Sequence, residues 1–211
     1  MKHYQIICSP HIYFSSLCQN LIECSTKKSY NNWIYHISSN DREAVLYQNK
    51  EFTICRDIPK KDETHTNKML VVFHDTSLRT IRDLRQRHIP MLLNAYSEGI
   101  KLIDSDTRQE WSIYFNYFPS NYQLHAHISP RTSHMHLRSH NILRVVRNLD
   151  SHDAYYKDAL LFTRLSRNNA VYAAYEYHFT DVSFKMNRIL GNMNKRQDTG
   201  ATRDSNSMLT A

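Results

Sequence analysis

Four separate runs in the last two-thirds of the chain have the length and composition of β-strands. Residues 69–73 are continuously apolar, as in a buried strand, and residues 111–118, 124–129 and 159–165 predict three further strands. Pro119 begins a Pro-Ser-Asn sequence that predicts a turn between the second run and the third. The pattern therefore predicts a β-sheet.

Two amphipathic helices are predicted among these strands. In the first, the apolar residues at positions 89, 92, 93, 96, 100 and 103 follow the 3.6-residue period of an α-helix. Pro90 falls in its first turn, where the missing N–H group costs nothing. The second helix has apolar residues on one face at positions 142, 145, 146 and 149. Together these elements predict an antiparallel sheet with flanking helices, which is an α+β fold.

The chain divides into three parts by composition. Residues 1–62 form a short N-terminal accessory segment, with a helix predicted near 14–23, a shorter one near 30–37 and two short extended runs at 44–47 and 52–55. A charged connector ends this segment. Residues 63–180 form the main domain, and residues 181–211 are polar and predict a partly disordered C-terminal extension.

Glycine is scarce, with residues at positions 99, 191 and 200 alone. Dinucleotide-binding loops, P-loops and nucleophile elbows all need glycines where the backbone turns sharply or approaches a ligand. The three isolated glycines cannot form any of these motifs, so the sequence excludes all three kinds of site. If the protein binds phosphate, it does so through side chains.

The net charge of +7 and the pI near 9.2 favour polyanionic partners such as nucleotides, although a solvated basic surface would give the same values. The four cysteines form no CxxC pair, so reduced thiols are expected. No run approaches the roughly 20 apolar residues that span a bilayer. We therefore expect a cytoplasmic or nuclear protein without membrane contact.

A histidine-rich strand carries the main chemical information. Because strand side chains alternate between faces, Gln123, His125 and His127 are predicted to share one face while the intervening apolar residues pack behind them. A neutral imidazole is nucleophilic near pH 7 and attacks phosphorus without a metal. Two alternatives are open: the histidines are structural, or His134, His136 and His140 add a zinc site.

The sequence YFPSNYQLHAHI at 117–128 resembles the strand that carries the histidine triad in the scavenger mRNA-decapping enzyme family. The resemblance extends to VFH at 72–74, LRTIRDL at 78–84, HIPMLL at 88–93 and the segment from 138 to 149. It implies a histidine-triad fold. It also implies hydrolysis of cap dinucleotides or short capped RNA remnants through a nucleotidyl-histidine intermediate, with release of 7-methylguanosine monophosphate and no cofactor.

The same resemblance assigns roles to individual residues. His125 would be the nucleophile and His127 the third triad histidine. The residues implied to bind substrate are Trp33 and Glu43 at the cap base, Asp57 and Lys60 in a loop over it, and Asn116, Ser120 and Arg138 near the phosphates. A methylated guanine is cationic, so an indole face and a carboxylate suit it.

Three features depart from the family pattern. Gln123 stands where the first triad histidine is expected, and Asn116 replaces another histidine. Glutamine forms hydrogen bonds but cannot carry a proton in transfer. In addition, only about 30 residues precede Trp33, so the N-terminal domain of the family is expected to be truncated.

Three functions are compatible with this sequence. The first is a decapping pyrophosphatase that forms a homodimer through its histidine-triad domain. The second is a catalytically weak cap-binding or regulatory relative, and the third is a histidine-triad hydrolase of other dinucleoside polyphosphates.

Overall fold

The computed structural model describes residues 3–26, 45–57, 68–131, 138–166, 171–172 and 175–177. The strands within these segments are β1 His3–Cys8, β2 Val45–Gln48, β3 Phe52–Arg56, β4 Met69–Phe73, β5 Trp111–Asn116, β6 His125–Pro130, β7 Ser139–Asn141 and β8 Leu161–Ser166. The helices are α1 Pro10–Tyr13, α2 Ser16–Thr26, α3 Ile89–Lys101, α4 Ile142–Ser151 and α5 Tyr155–Asp158. None of these helices is long and apolar enough to cross a membrane.

Six strands form one antiparallel sheet in the order β2-β3-β4-β6-β5-β7. The strand β6 lies between β4 and β5, so His127 is opposite Leu70 on one side and Tyr114 on the other. His125 is opposite Val72. The predicted α+β class, with an antiparallel sheet and flanking helices, is confirmed.

The helices α3 and α4 cover the sheet with apolar faces close to those predicted. Leu92, Ala95 and Gly99 of α3 are buried, and Pro90 lies in its first turn as expected. On α4, Ile142 and Val145 are among the buried residues. The Asn141 side chain accepts hydrogen bonds from the first backbone N–H groups of α4, which fixes where that helix begins.

A second, two-stranded sheet pairs the first of the described strands with the last. β1 pairs with β8 along its whole length, from His3 opposite Ser166 to Cys8 opposite Leu161. The sequence pattern did not predict β1, because its hydrophobic run is short. In addition, β2 and β3 share the six-stranded sheet with strands beyond residue 62. The domain boundary at residue 62 stays a prediction.

The two sheets are joined through the buried side chain of Arg82. Its guanidinium donates hydrogen bonds to the backbone oxygens of Cys8 at 2.8 Å, Tyr156 at 2.9 Å and Ala159 at 3.0 Å. It also donates to the hydroxyl of Tyr117 at 2.7 Å. Among the described residues, no carboxylate pairs with it. Carbonyl dipoles and aromatic rings therefore balance its charge.

Candidate histidine active site

His125 is the first residue of β6 and is buried, with 5% of its surface exposed. Its Nδ1 lies 2.7 Å from the backbone oxygen of Gln123. A carbonyl oxygen only accepts hydrogen bonds, so Nδ1 carries the proton and Nε2 carries the lone pair in the neutral ring. Burial lowers the pKa of His125, which keeps the ring neutral. The arrangement suits a nucleophile.

His127 follows on the same face of β6, with its ring centroid 5.3 Å from that of His125. Desolvation by burial, followed by electrostatic interactions with His125, Arg138 and Lys68, lowers the pKa of His127 to about 3. Two cationic side chains therefore act on His127. Such charges stabilise the negative charge of a phosphoryl group during transfer.

Gln123 lies outside the strand on which it was predicted, since β6 begins at His125. Its side-chain Nε2 donates to the backbone oxygens of Phe73 at 2.5 Å and Asp75 at 3.1 Å. The amide therefore binds the chain around the end of β4, and the prediction that Gln123 lies in the same strand as the two histidines is wrong. Gln123 contacts His125 through its backbone carbonyl instead. The intervening apolar residues are buried as predicted.

The Oε1 atom of Gln123 is buried and has no hydrogen-bond partner among the described residues. Its orientation is fixed, because turning the amide over would place Oε1 against two carbonyl oxygens. The Oε1 atom of Gln123 can therefore accept a hydrogen bond, but the side chain supplies no proton.

Two of the residues predicted to lie near the phosphates come together where β5 ends. Asn116 is opposite Ser139, whose hydroxyl donates to Asn116 Oδ1 at 3.3 Å. Arg138 directly precedes β7 and is exposed, and its backbone oxygen accepts from Tyr117 N–H at 2.8 Å. Ser120 is exposed in the segment between β5 and β6. The structure thus places Asn116 at the end of β5, which neighbours β6, and Arg138 just before β7, which pairs with β5.

Asp57 directly follows β3, and its N–H donates to the backbone oxygen of Lys68 at 2.9 Å. Lys68 is exposed and precedes Leu70 by two residues, so it extends the face of β4 that lies beside His127. Sequence reasoning missed Lys68, because its place beside the histidines depends on strand register. Lys68 therefore contacts Asp57, which was predicted to lie near the cap base, and acts electrostatically on His127.

The remaining predicted residues are Trp33, Glu43 and Lys60, which lie outside the described residues. His134 and His136 of the alternative zinc site also lie outside them. His140 packs edge-on against the rings of Tyr117 and Tyr156, at 6.4 and 5.8 Å between centroids. Burial, followed by the charges of Arg144 and Arg82, lowers the pKa of His140 to about 4.

The family model described as "Scavenger mRNA decapping enzyme C-term binding" matches residues 32–142, which include β2 to β7 and both histidines of β6. This chain belongs to the scavenger mRNA decapping enzyme family. The predicted family membership is thereby confirmed.

Curated relatives with the name m7GpppX diphosphatase support the assignment to the decapping enzyme family. The mouse protein is 26% identical over 145 residues, covering 61% of this chain and 42% of its own length. The Caenorhabditis elegans protein is 27% identical over 151 residues, covering 63% and 48%. The Schizosaccharomyces pombe protein is 32% identical over 63 residues, covering 28% and 21%. The chain thus spans less than half the length of these relatives.

Solved structures with partial similarity include the aprataxin ortholog Hnt3 in complex with DNA. It is 16% identical, with a TM-score of 0.37, and the match covers 56% of this chain and 72% of that chain. The aprataxin ortholog Hnt3 from Schizosaccharomyces pombe is also 16% identical, with a TM-score of 0.29 and coverage of 61% and 64%.

Proposed function

We propose that this protein is a hydrolase of 7-methylguanosine cap dinucleotides or short capped RNA remnants, and that it releases 7-methylguanosine monophosphate. Membership of the decapping enzyme family supports the substrate class. The observation that carries the chemistry is the hydrogen bond from His125 Nδ1 to the Gln123 carbonyl. It leaves Nε2 of a neutral, buried imidazole as the nucleophile.

In the proposed first step, His125 Nε2 attacks the phosphorus atom attached to 7-methylguanosine. A P–N bond forms, and the P–O bond to the remaining nucleotide breaks, so that this nucleotide leaves with the bonding electron pair. The Gln123 carbonyl stabilises the positive charge that develops on the imidazole, and Arg138 and Lys68 offset charge on the phosphates. Water then cleaves the P–N bond and restores the histidine.

The substitution of histidine by Gln123 is compatible with this mechanism. A terminal phosphate has a second pKa of about 6, so a nucleotide that leaves through a phosphate oxygen needs little protonation at neutral pH. A general acid is therefore less necessary than it would be for a poorer leaving group. Gln123 would contribute by holding the residues after β4 and by presenting its carbonyl to His125.

Recognition of the cap base is assigned to Trp33 and Glu43, with Asp57 and Lys60 covering the base. Methylated guanine carries a positive charge, so its stacking on indole gains roughly 0.5–2 kcal/mol from the cation–π interaction. Asp57 is joined to Lys68 by a backbone hydrogen bond, and Lys68 acts electrostatically on His127. This connection supports a binding site that runs from the base to the histidines. Dimerisation through the histidine-triad domain belongs to the same proposal.

A catalytically weak cap-binding protein is the second candidate. The observation that favours it is the side chain of Gln123, which cannot transfer a proton and is directed towards the end of β4. The third candidate, a hydrolase of other dinucleoside polyphosphates, requires that Trp33 does not contact the base.

Incubation of the protein with a methylated cap dinucleotide, followed by chromatography of the products, separates these functions. The parent protein should release 7-methylguanosine monophosphate and a guanosine diphosphate. His125→Asn should still bind the dinucleotide without turnover, whereas the control His152→Asn, at an exposed position after α4, should retain full activity. Binding without turnover by the parent protein would indicate the second candidate. Equal turnover of a diadenosine polyphosphate would indicate the third.

A further inference from the structure

Tyr114 is in direct contact with the second histidine of the site. It is opposite His127 across the β5–β6 ladder. The two rings are nearly parallel, at 20°, with their centroids 5.4 Å apart. This geometry is an offset stack, which is a favoured arrangement of aromatic rings. One face of the His127 ring is therefore covered by Tyr114.

The phenol ring of Tyr114 is held at its far end as well. Its hydroxyl lies 3.3 Å from Ser129 Oγ, and Ser129 Oγ donates to the backbone oxygen of Pro130 at 3.3 Å. Because the Ser129 hydroxyl has only one proton, the Tyr114 hydroxyl is the donor to Ser129. The phenol is thus anchored to the same strand that carries His127, two residues further on.

His127 has little else to orient its ring. The edge of the ring meets His125 at 67°. Among the described residues, neither of its ring nitrogens has a hydrogen-bond partner. Desolvation and nearby charges lower the pKa of His127 to about 3, so the ring is neutral at pH 7 and has one N–H donor. Rotation about the Cβ–Cγ bond would move this donor away from a bound phosphate.

We propose that Tyr114 is a positioning residue for His127: the stacked phenol sets the orientation in which the imidazole meets the substrate phosphate. This role rests on the proposed function of the site. It acts mainly on turnover, because the orientation of a donor matters most where charge develops in the transition state. A misplaced contact of this kind costs on the order of 10-fold to 100-fold in rate.

Two substitutions distinguish the contribution of the stacked Tyr114 ring from that of its hydroxyl group. Tyr114→Phe keeps the ring and should retain kcat within about twofold, whereas Tyr114→Leu removes it and should lower kcat at least about 10-fold with KM nearly unchanged. Tyr155→Leu, an exposed tyrosine on α5, is the matched control and should behave as the parent. If Tyr114→Leu does not fold, Tyr114→Met replaces it.

A spectroscopic measurement makes the test independent of catalysis. The ring current of Tyr114 should move the imidazole proton resonances of His127 upfield, and these resonances are assigned by their loss in His127→Asn. Tyr114→Leu should shift them downfield, and Tyr114→Phe should leave them near the parent position. Unshifted resonances in the leucine variant, or a phenylalanine variant as slow as the leucine variant, would overturn the proposal. If the parent protein lacks cap turnover, the proposed function fails while the resonances still decide the role of Tyr114.

Discussion

At the residue scale, the chemistry of the site depends on a single backbone carbonyl. The oxygen of Gln123 fixes the tautomer of His125, and burial lowers the pKa of the ring. Both effects leave a lone pair on Nε2 of His125, and neither requires an acidic residue as a partner of the ring. The sequence motif indicated His125 as the candidate nucleophile, but not the reason why its ring is neutral.

The first prediction concerns the pH dependence of turnover. Because the pKa of His125 is lowered, the ring stays unprotonated at pH values below the ordinary histidine value of about 6.5. We therefore expect kcat/KM to be constant from neutral pH to below pH 6.5 and to fall only at more acidic pH. Initial rates on a cap dinucleotide across this range would measure it. A fall centred at or above pH 6.5 would assign the titration to another group.

The second prediction concerns Gln123→His, which restores a titratable side chain at this position. Because the leaving nucleotide needs little protonation at neutral pH, an added general acid should change the rate little, and kcat should stay within about threefold of the parent. A neutral histidine replaces only one of the two hydrogen bonds of Gln123, so the free energy of unfolding should fall by about 1 kcal/mol.

Gln123→Ala is the control for this substitution, since it removes both hydrogen bonds and adds no acid. It should lower both stability and kcat. A rise in kcat of about 10-fold or more in Gln123→His would show instead that protonation of the leaving group limits the rate.

At the element scale, the position of α3 against the sheet depends on one small residue. Gly99 faces β5 and β6 so closely that a Cβ atom there would lie 2.9 Å from Ile113 Cδ1 and 3.0 Å from Ile128 Cδ1. Ile128 follows His127 on β6, so this contact supports the strand from behind the site. Close packing of α3 thus supports β6, the strand that carries His125 and His127.

The third prediction is that Gly99→Ala destabilises the protein despite the higher helix propensity of alanine. The gain of about 1 kcal/mol in propensity should be outweighed by overpacking of about 1–3 kcal/mol, which gives a net loss of about 1 kcal/mol. Ser97→Ala, at an exposed position of the same helix, should instead stabilise by a few tenths of a kcal/mol. Denaturant unfolding of both variants measures the difference. Equal effects would show that the isoleucines move aside freely.

At the scale of the whole molecule, Arg82 connects parts that are distant in sequence. Its guanidinium binds carbonyls of β1 and of the α5 region, and the hydroxyl of Tyr117 at the start of the segment that leads to His125. The two sheets and the site segment therefore share one buried group.

The fourth prediction is that Arg82→Met strongly destabilises the fold. Methionine fills much of the volume, but it removes the Arg82 donors to the buried carbonyl oxygens of Cys8 and Tyr156 and to the partly buried one of Ala159. This loss should cost about 3 kcal/mol or more. Arg147→Met, at an exposed position on α4, is the control and should change stability by less than about 0.5 kcal/mol. A similar midpoint of unfolding for the two variants would show that Arg82 does not hold the sheets together.

The sequence by itself determined the elements that depend on local periodicity. The strands β4 and β6, the helix α3 and the apolar face of α4 were all predicted, because each has a hydrophobic pattern within one short segment. The candidate nucleophile was also indicated, since alternation within one strand places His125 and His127 on one face.

Only the tertiary structure decided which segments become neighbours. The pairing of β1 with β8, the burial of Arg82 and the stack of Tyr114 on His127 all join residues from separate strands or turns. Strand register and long-range packing set these contacts, and local patterns carry no information on either. The side chain of Gln123 shows the same limit. Alternation predicted that it belongs to the strand of the histidines, but β6 begins at His125, and two carbonyl oxygens around the end of β4 bind the Gln123 amide.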